Sequence, residues 1–133
     1  MCPGEKIRRV LIIEDEKAMA EILAIRLKRE GYEIYIAYDG EEGLEKIRSQ
    51  KPDLVLLDLI LPKLDGRDLL KIIKDDEKTK DIPVVILSGM TQQWDRNIGL
   101  ELGADEYIEK PLDMIKLASQ LKNIFRKRES SSS

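Results

Sequence analysis

Leu54-Val55-Leu56-Leu57-Asp58, introduced by Pro52-Asp53, is the stretch that decides the fold. Four consecutive apolar residues between a proline-led turn and an acid predict a short strand buried on both faces. Strands of that kind belong to parallel sheets with helices on both sides. Val10-Leu11-Ile12-Ile13 repeats the pattern between Arg8-Arg9 and Glu14-Asp15-Glu16, and Val84-Val85-Ile86-Leu87 repeats it between Pro83 and Ser88-Gly89. Ile34 and Ile36 alternate with polar or aromatic neighbours and predict a further strand. Tyr107-Ile108-Glu109 predicts the last one, running into Lys110-Pro111.

Helical patterns fill the gaps between these strands. Ala18, Met19, Ile22, Leu23, Ile25 and Leu27 recur at mostly helical spacing, and Gly31 stops them. Asp39 is a candidate N-cap for a helix that turns Leu44 and Ile47 inward. Pro62 and Asp65-Gly66 lead into a helix with Leu69, Leu70, Ile72 and Ile73. A weaker helix is expected from Gln92 to Leu102, closed by Gly103, and a last one carries Ile115, Leu117, Ala118, Leu121, Ile124 and Phe125. Strict alternation of strand and helix predicts an α/β fold with right-handed crossovers. Five such units suit a doubly wound five-stranded parallel sheet, flavodoxin-like, with strand order 2-1-3-4-5; ligands then sit at the carboxyl ends of the strands.

Bulk composition bounds the rest. The chain has 133 residues, room for one domain. With 42% apolar and 37% charged residues it reads as a packed core under a densely charged surface. The formal net charge of −3 argues against nucleic acid as a direct partner, and the Arg126-Lys127-Arg128 run is the charge expected at a helix C-terminus. The single cysteine, Cys2, allows no internal disulfide. The absence of histidine excludes a histidine-based triad, histidine metal ligands and a role as a histidine phospho-carrier. No apolar run reaches the roughly 20 residues of a membrane span, and no signal-peptide pattern opens the chain, so a cytoplasmic location is expected. The expected layout is an N-terminal extension at 1–7, one domain at 8–127 and a disordered Ser-rich tail at 128–133.

The strand ends carry the chemistry. In the expected sheet, Glu14-Asp15-Glu16, Asp58, Ser88-Gly89 and Lys110-Pro111 converge on one edge. Crowded carboxylates repel one another, and a hard divalent cation relieves that repulsion. Mg²⁺ takes one or two carboxylates, keeps several waters and shares a phosphate oxygen. A lysine and a hydroxyl complete a phosphate-binding set, and a carboxylate nucleophile beside them suits phosphoryl transfer.

Taken in order, these motifs resemble the receiver domain of response regulators over about Arg8 to Arg126. The matching residues are Glu14-Asp15, Leu54 to Asp58, Pro62, Asp65-Gly66, Ser88-Gly89, Gly103-Ala104-Asp105-Glu106-Tyr107 and Lys110-Pro111. The resemblance implies Asp58 as phospho-acceptor and a Mg²⁺ ion held by Asp15, by Glu14 through water, by Asp58 and by the Ile60 carbonyl. It implies Ser88 and Lys110 as contacts of the phosphoryl oxygens, Tyr107 as an aromatic whose position follows the state of Ser88, and a cis bond between Lys110 and Pro111. The implied donor is a sensor histidine kinase or a histidine phosphotransfer protein. The implied product is a phosphorylation-dependent switch, not an enzyme of external turnover, acting as a monomer or a phosphorylation-dependent dimer.

Some positions depart from the commonest pattern of that family. Ser88 stands where threonine is usual and keeps the hydroxyl; Leu112 stands where phenylalanine is frequent. Ile60 and Met90 flank the expected phosphate entrance and are both apolar, which predicts slow hydrolysis of the acyl phosphate. Two other chemistries on such a sheet are disfavoured. A Mg²⁺-dependent aspartyl-phosphatase usually places an acid two residues after its nucleophile, where this chain has Ile60. A flavin carrier needs a hydroxyl- and glycine-rich loop after the first strand, where this chain has Glu14-Asp15-Glu16. A stand-alone regulator and a receiver cut from a longer protein both fit the sequence.

Overall fold

The structure is a computed structural model that describes residues 7–59, 61–88, 100–101, 103–109 and 113–131. Strand β1 spans Arg9–Ile13, β2 Glu33–Ala37, β3 Leu54–Asp58, β4 Val84–Ser88 and β5 Glu106–Glu109. Helix α1 spans Lys17–Arg29, α2 Gly40–Gln50, α3 Gly66–Asp75, and α4 Met114–Ser131. The strands form one parallel sheet in the order β2-β1-β3-β4-β5. This is the order the sequence predicts.

Side-chain alternation divides the core between the two faces of the sheet. Leu11, Ile13, Val55, Leu57, Val84 and Ile86 pack with Ile47 of α2 and with Leu69, Leu70 and Ile73 of α3. Val10, Ile12, Leu54, Leu56, Val85 and Leu87 pack with Ala20, Leu23, Ala24 and Leu27 of α1 and with Leu117, Leu121 and Phe125 of α4. β3 is buried along its whole length, which is why its sequence shows no polar alternation.

Each helix starts and stops for a local reason. The Asp39 carboxylate accepts the Glu42 N–H at 2.8 Å and caps α2, while the Glu42 carboxylate accepts the Tyr38 N–H at 2.9 Å. Asp65 caps α3 by accepting the Arg67 N–H at 2.8 Å, and Asp113 accepts the N–H groups of Ile115 and Lys116 at the start of α4. Gly31 follows α1 with φ of 97°, and its N–H donates to the Lys28 carbonyl at 3.0 Å.

The structure changes two details of the expected layout. Ile22, Ile25 and Ile115 belong to the helical apolar patterns but are exposed. The i, i+3, i+4, i+7 stripe of α1 is Ala20-Leu23-Ala24-Leu27, and Ile22 and Ile25 fall outside it. The tail expected to begin at 128 is helical as far as Ser131, because nothing in Arg128 to Ser131 breaks a helix. The helix expected from Gln92 to Leu102 falls almost wholly outside the described residues, as do Gly89 and Met90.

Candidate functional site

The ends of β1 and β3 build the site. Ile13 pairs with Leu57, so Glu14, just past the end of β1, lies beside Asp58, the last residue of β3. The Glu14 N–H donates to the Ala37 carbonyl at 3.0 Å, which holds the end of β1 against β2. Glu14 is 1% exposed and Asp58 7%, whereas Asp15 is exposed. Carboxylate oxygens of Glu14, Asp15 and Asp58 all lie within 4.8 Å of one another.

Such a cluster is costly when ionised. Two buried carboxylates at that separation repel by on the order of 3 kcal/mol at an effective dielectric of about 20. Two buried acids and one facing solvent fit a hard cation that keeps water and an open side for a ligand. All three donors are oxygens, which favours Mg²⁺ over softer metals.

The other strand ends come to the same edge. Asp58 of β3 pairs with Leu87 of β4, so Ser88 ends β4 one position further on. Ser88 pairs in turn with Glu109, the last residue of β5, and Lys110 is next in the chain. Lys110, Pro111 and Leu112 lie outside the described residues, and so does Ile60. Their expected roles, including the cis bond, are therefore not placed. Tyr107 is 4% exposed, pairs with Ile86 and packs in the core cluster shared with α2 and α3.

The loop after Asp58 shows why Pro62 and Asp65-Gly66 stand where the sequence motif has them, and adds contacts of Lys63 and Gly40 that the sequence did not announce. Gly66 opens α3 so close to β3 that a Cβ there would lie 2.5 Å from the Asp58 carbonyl oxygen and 2.6 Å from the Leu59 Cα. Its N–H donates to the Leu59 carbonyl at 3.0 Å. Lys63, at φ of 68°, turns the loop through the left-handed region. The same loop is pinned to α2. The Gly40 N–H donates to the Pro62 carbonyl, Lys63 pairs with Asp39 at 3.5 Å, and a Cβ on Gly40 would meet the Leu64 carbonyl oxygen at 2.3 Å. The Asp39 pKa is lowered, chiefly because its carboxylate accepts the Glu42 N–H, with Lys63 adding to the effect and burial opposing it. Asp39-Gly40 reads as a turn and cap in the sequence. Glycine at a helical first position, where its propensity is poor, was the one signal of a close approach.

A parallel β2-β1-β3-β4-β5 sheet with three acids at its carboxyl edge is a doubly wound fold with a candidate cation site at its strand ends. The family model of the response regulator receiver domain matches residues 10–122, and this chain belongs to that family. Solved structures agree. A CheY-like response regulator receiver domain protein from Methanospirillum hungatei is 29% identical, with a TM-score of 0.89, covering 95% of this chain and 99% of that one. The receiver domain of response regulator 1452 from Francisella is 29% identical with a TM-score of 0.85, covering 91% and 98%. The signal receiver domain of a signal transduction histidine kinase from Syntrophus aciditrophicus is 32% identical with a TM-score of 0.84, covering 90% and 91%. The chain is thus a receiver domain of two-component signalling, a family in which phosphorylation and Mg²⁺ are general features. No helix among the described residues is long and apolar enough to cross a membrane.

Proposed function

We propose that Asp58 is the phosphoryl acceptor of this receiver and that the carboxylates of Glu14 and Asp15 complete its cation site. The observation that carries this reading is the gathering of three carboxylates within 4.8 Å at the end of the central strand. A carboxylate oxygen of Asp58 attacks the phosphorus of a phosphohistidine presented by a sensor histidine kinase or a phosphotransfer protein. The P–N bond breaks as the P–O bond forms, and the imidazole leaves with its electron pair. Asp15 and Asp58 would hold Mg²⁺ directly, with the Ile60 carbonyl, and Glu14 through water. When bound, the ion neutralises negative charge on the acids and the phosphoryl oxygens.

Ser88 and Lys110 are the proposed partners of the phosphoryl oxygens, Ser88 as a hydroxyl donor and Lys110 as a point charge. Tyr107 is the proposed relay, its ring following Ser88 and altering the surface around β5 and α4. Partners then bind the two states with different affinity, and that difference alone drives the shift. The acyl phosphate decays by slow hydrolysis, with no turnover of external phosphoesters. A cytoplasmic location fits a donor of this kind.

Intact mass spectrometry after incubation with Mg²⁺ and a small acyl phosphate tests the assignment. One phosphoryl adduct is expected on the parent chain, dependent on Mg²⁺ and missing from Asp58→Ala. An adduct that persists in Asp58→Ala would move the acceptor elsewhere, and no adduct on either protein would leave a binding module without phosphotransfer.

A further inference from the structure

The opposite end of the sheet carries a second cleft of about 680 Å³, within the range of small-molecule sites. It opens where α2 runs into β3 and α3 runs into β4, at the amino ends of the strands and away from the three acids. Its floor is apolar. Ile47 is 1% exposed, Pro52 is buried and Ile82 is half-buried. Thr79, also buried, donates its hydroxyl to the Ile73 carbonyl at 2.6 Å, so the floor presents no unpaired hydroxyl.

The rim is cationic. Arg48, Lys51 and Lys78 line it, and Asp76 is the acid among them. Asp76 is already engaged, accepting the backbone N–H of Lys78 at 2.9 Å. The side chains of Arg48, Lys51 and Lys78 hold no ion pair among the described residues. Arg9, Lys46, Lys63 and Lys80, by contrast, each lie within 4 Å of a carboxylate. Helix-dipole pairing accounts for Arg48 and Lys51 at the C-terminal end of α2, and Lys78, two residues past the Asp76 cap of α3, brings a third cation to the same rim. Lys51 is also held at φ of 48° and ψ of 63°, a left-handed helix cap where glycine carries no steric cost. A lysine there trades conformational ease for a charge at the mouth of the cleft.

We propose that this cleft binds a small organic anion: an apolar ring or short chain seated on Ile47, Pro52 and Ile82, with a doubly charged oxyanion held by Arg48, Lys51 and Lys78. The site is independent of Asp58 and of the acceptor reading. Phenyl phosphate carries both features and is the probe; inorganic phosphate and benzyl alcohol each carry one. Assigned ¹H–¹⁵N spectra of the full chain would be titrated with each, without Mg²⁺ and at low salt.

Saturable shifts confined to the amides around Arg48, Lys51, Thr79 and Ile82 are expected with phenyl phosphate, and weaker ones with either fragment. Lys51→Gly should stay at least as stable as the parent and bind about two- to fivefold more weakly, the worth of one exposed charge pair. Arg48→Ala with Lys78→Ala should bind about tenfold more weakly, with an otherwise parent-like spectrum. Inorganic phosphate binding as tightly as phenyl phosphate would remove the apolar floor and overturn the proposal. Shifts centred elsewhere, or affinity unchanged in both variants, would overturn it as well.

Discussion

Gly66 rests against the backbone of Asp58, so close that a methyl group in place of its hydrogen would sit 2.5 Å from the Asp58 carbonyl oxygen. The start of α3 therefore sets the position of the proposed acceptor from behind. Gly66→Ala forces β3 and α3 apart, and a destabilisation of about 1–3 kcal/mol is expected from such overpacking. Urea denaturation measures it, and the phosphorylation rate should fall in parallel. A variant as stable and as reactive as the parent would show that the junction can relax freely.

Leu56 tests the core beneath the site. It is fully buried in the centre of β3, paired with Ile12 and Val85. Leu56→Ala should cost about 2–5 kcal/mol, the range for emptying a packed position. A loss of unfolding free energy under about 1 kcal/mol in urea denaturation would mean that α1 and α4 close over the gap.

The acid cluster predicts a thermal response to Mg²⁺. A ligand that binds only the folded state at about 100 times its Kd adds about 2.7 kcal/mol. Calorimetry should therefore show a higher Tm for the parent in saturating Mg²⁺, with the rise reduced in Asp15→Asn and in Asp58→Asn. An equal rise in all three proteins would place the cation outside this cluster.

Asp39 predicts part of the acid sensitivity. Its pKa is lowered by the Glu42 N–H it accepts and, secondarily, by Lys63. A carboxylate with a depressed folded pKa contributes stability above its unfolded pKa, near 4, and loses it as the pH falls through the lower folded value. Asp39→Asn keeps a cap acceptor but cannot titrate. Denaturation midpoints taken on both sides of about pH 4 should fall more steeply for the parent than for the variant. Parallel curves would mean that the cap and the Lys63 pair carry no pH dependence.

Much of this protein was legible in its residues because the signals are local. The runs at Val10, Leu54 and Val84 can be buried only as central strands, and their lengths fix β1, β3 and β4 within a residue. Glu14, Asp15 and Asp58 were legible as site candidates because each follows such a run, and the structure brings those three together. Periodicity was less decisive for Ile22, Ile25 and Ile115. An apolar residue in a helical pattern is buried only if a neighbouring element reaches its side of the helix, and among the described residues none covers these three.

The sequence by itself determined the alternation of strand and helix, the strand order and the chemical character of the carboxyl edge. The alternation and the acidic edge follow from run length and turn residues, which act over a few residues at a time, and the strand order from the resemblance to flavodoxin-like receivers. Only the tertiary structure decided the contacts between residues far apart in the chain: Gly40 against Leu64, Lys63 with Asp39, and Lys74 with Asp105 at 3.7 Å. It also set Lys51 in a left-handed cap at the rim of a cleft that Arg48 shares and to which Lys78 comes from a different loop. Such contacts depend on how closely two backbones approach, a distance fixed by the packing of the whole sheet and carried by no single stretch of sequence.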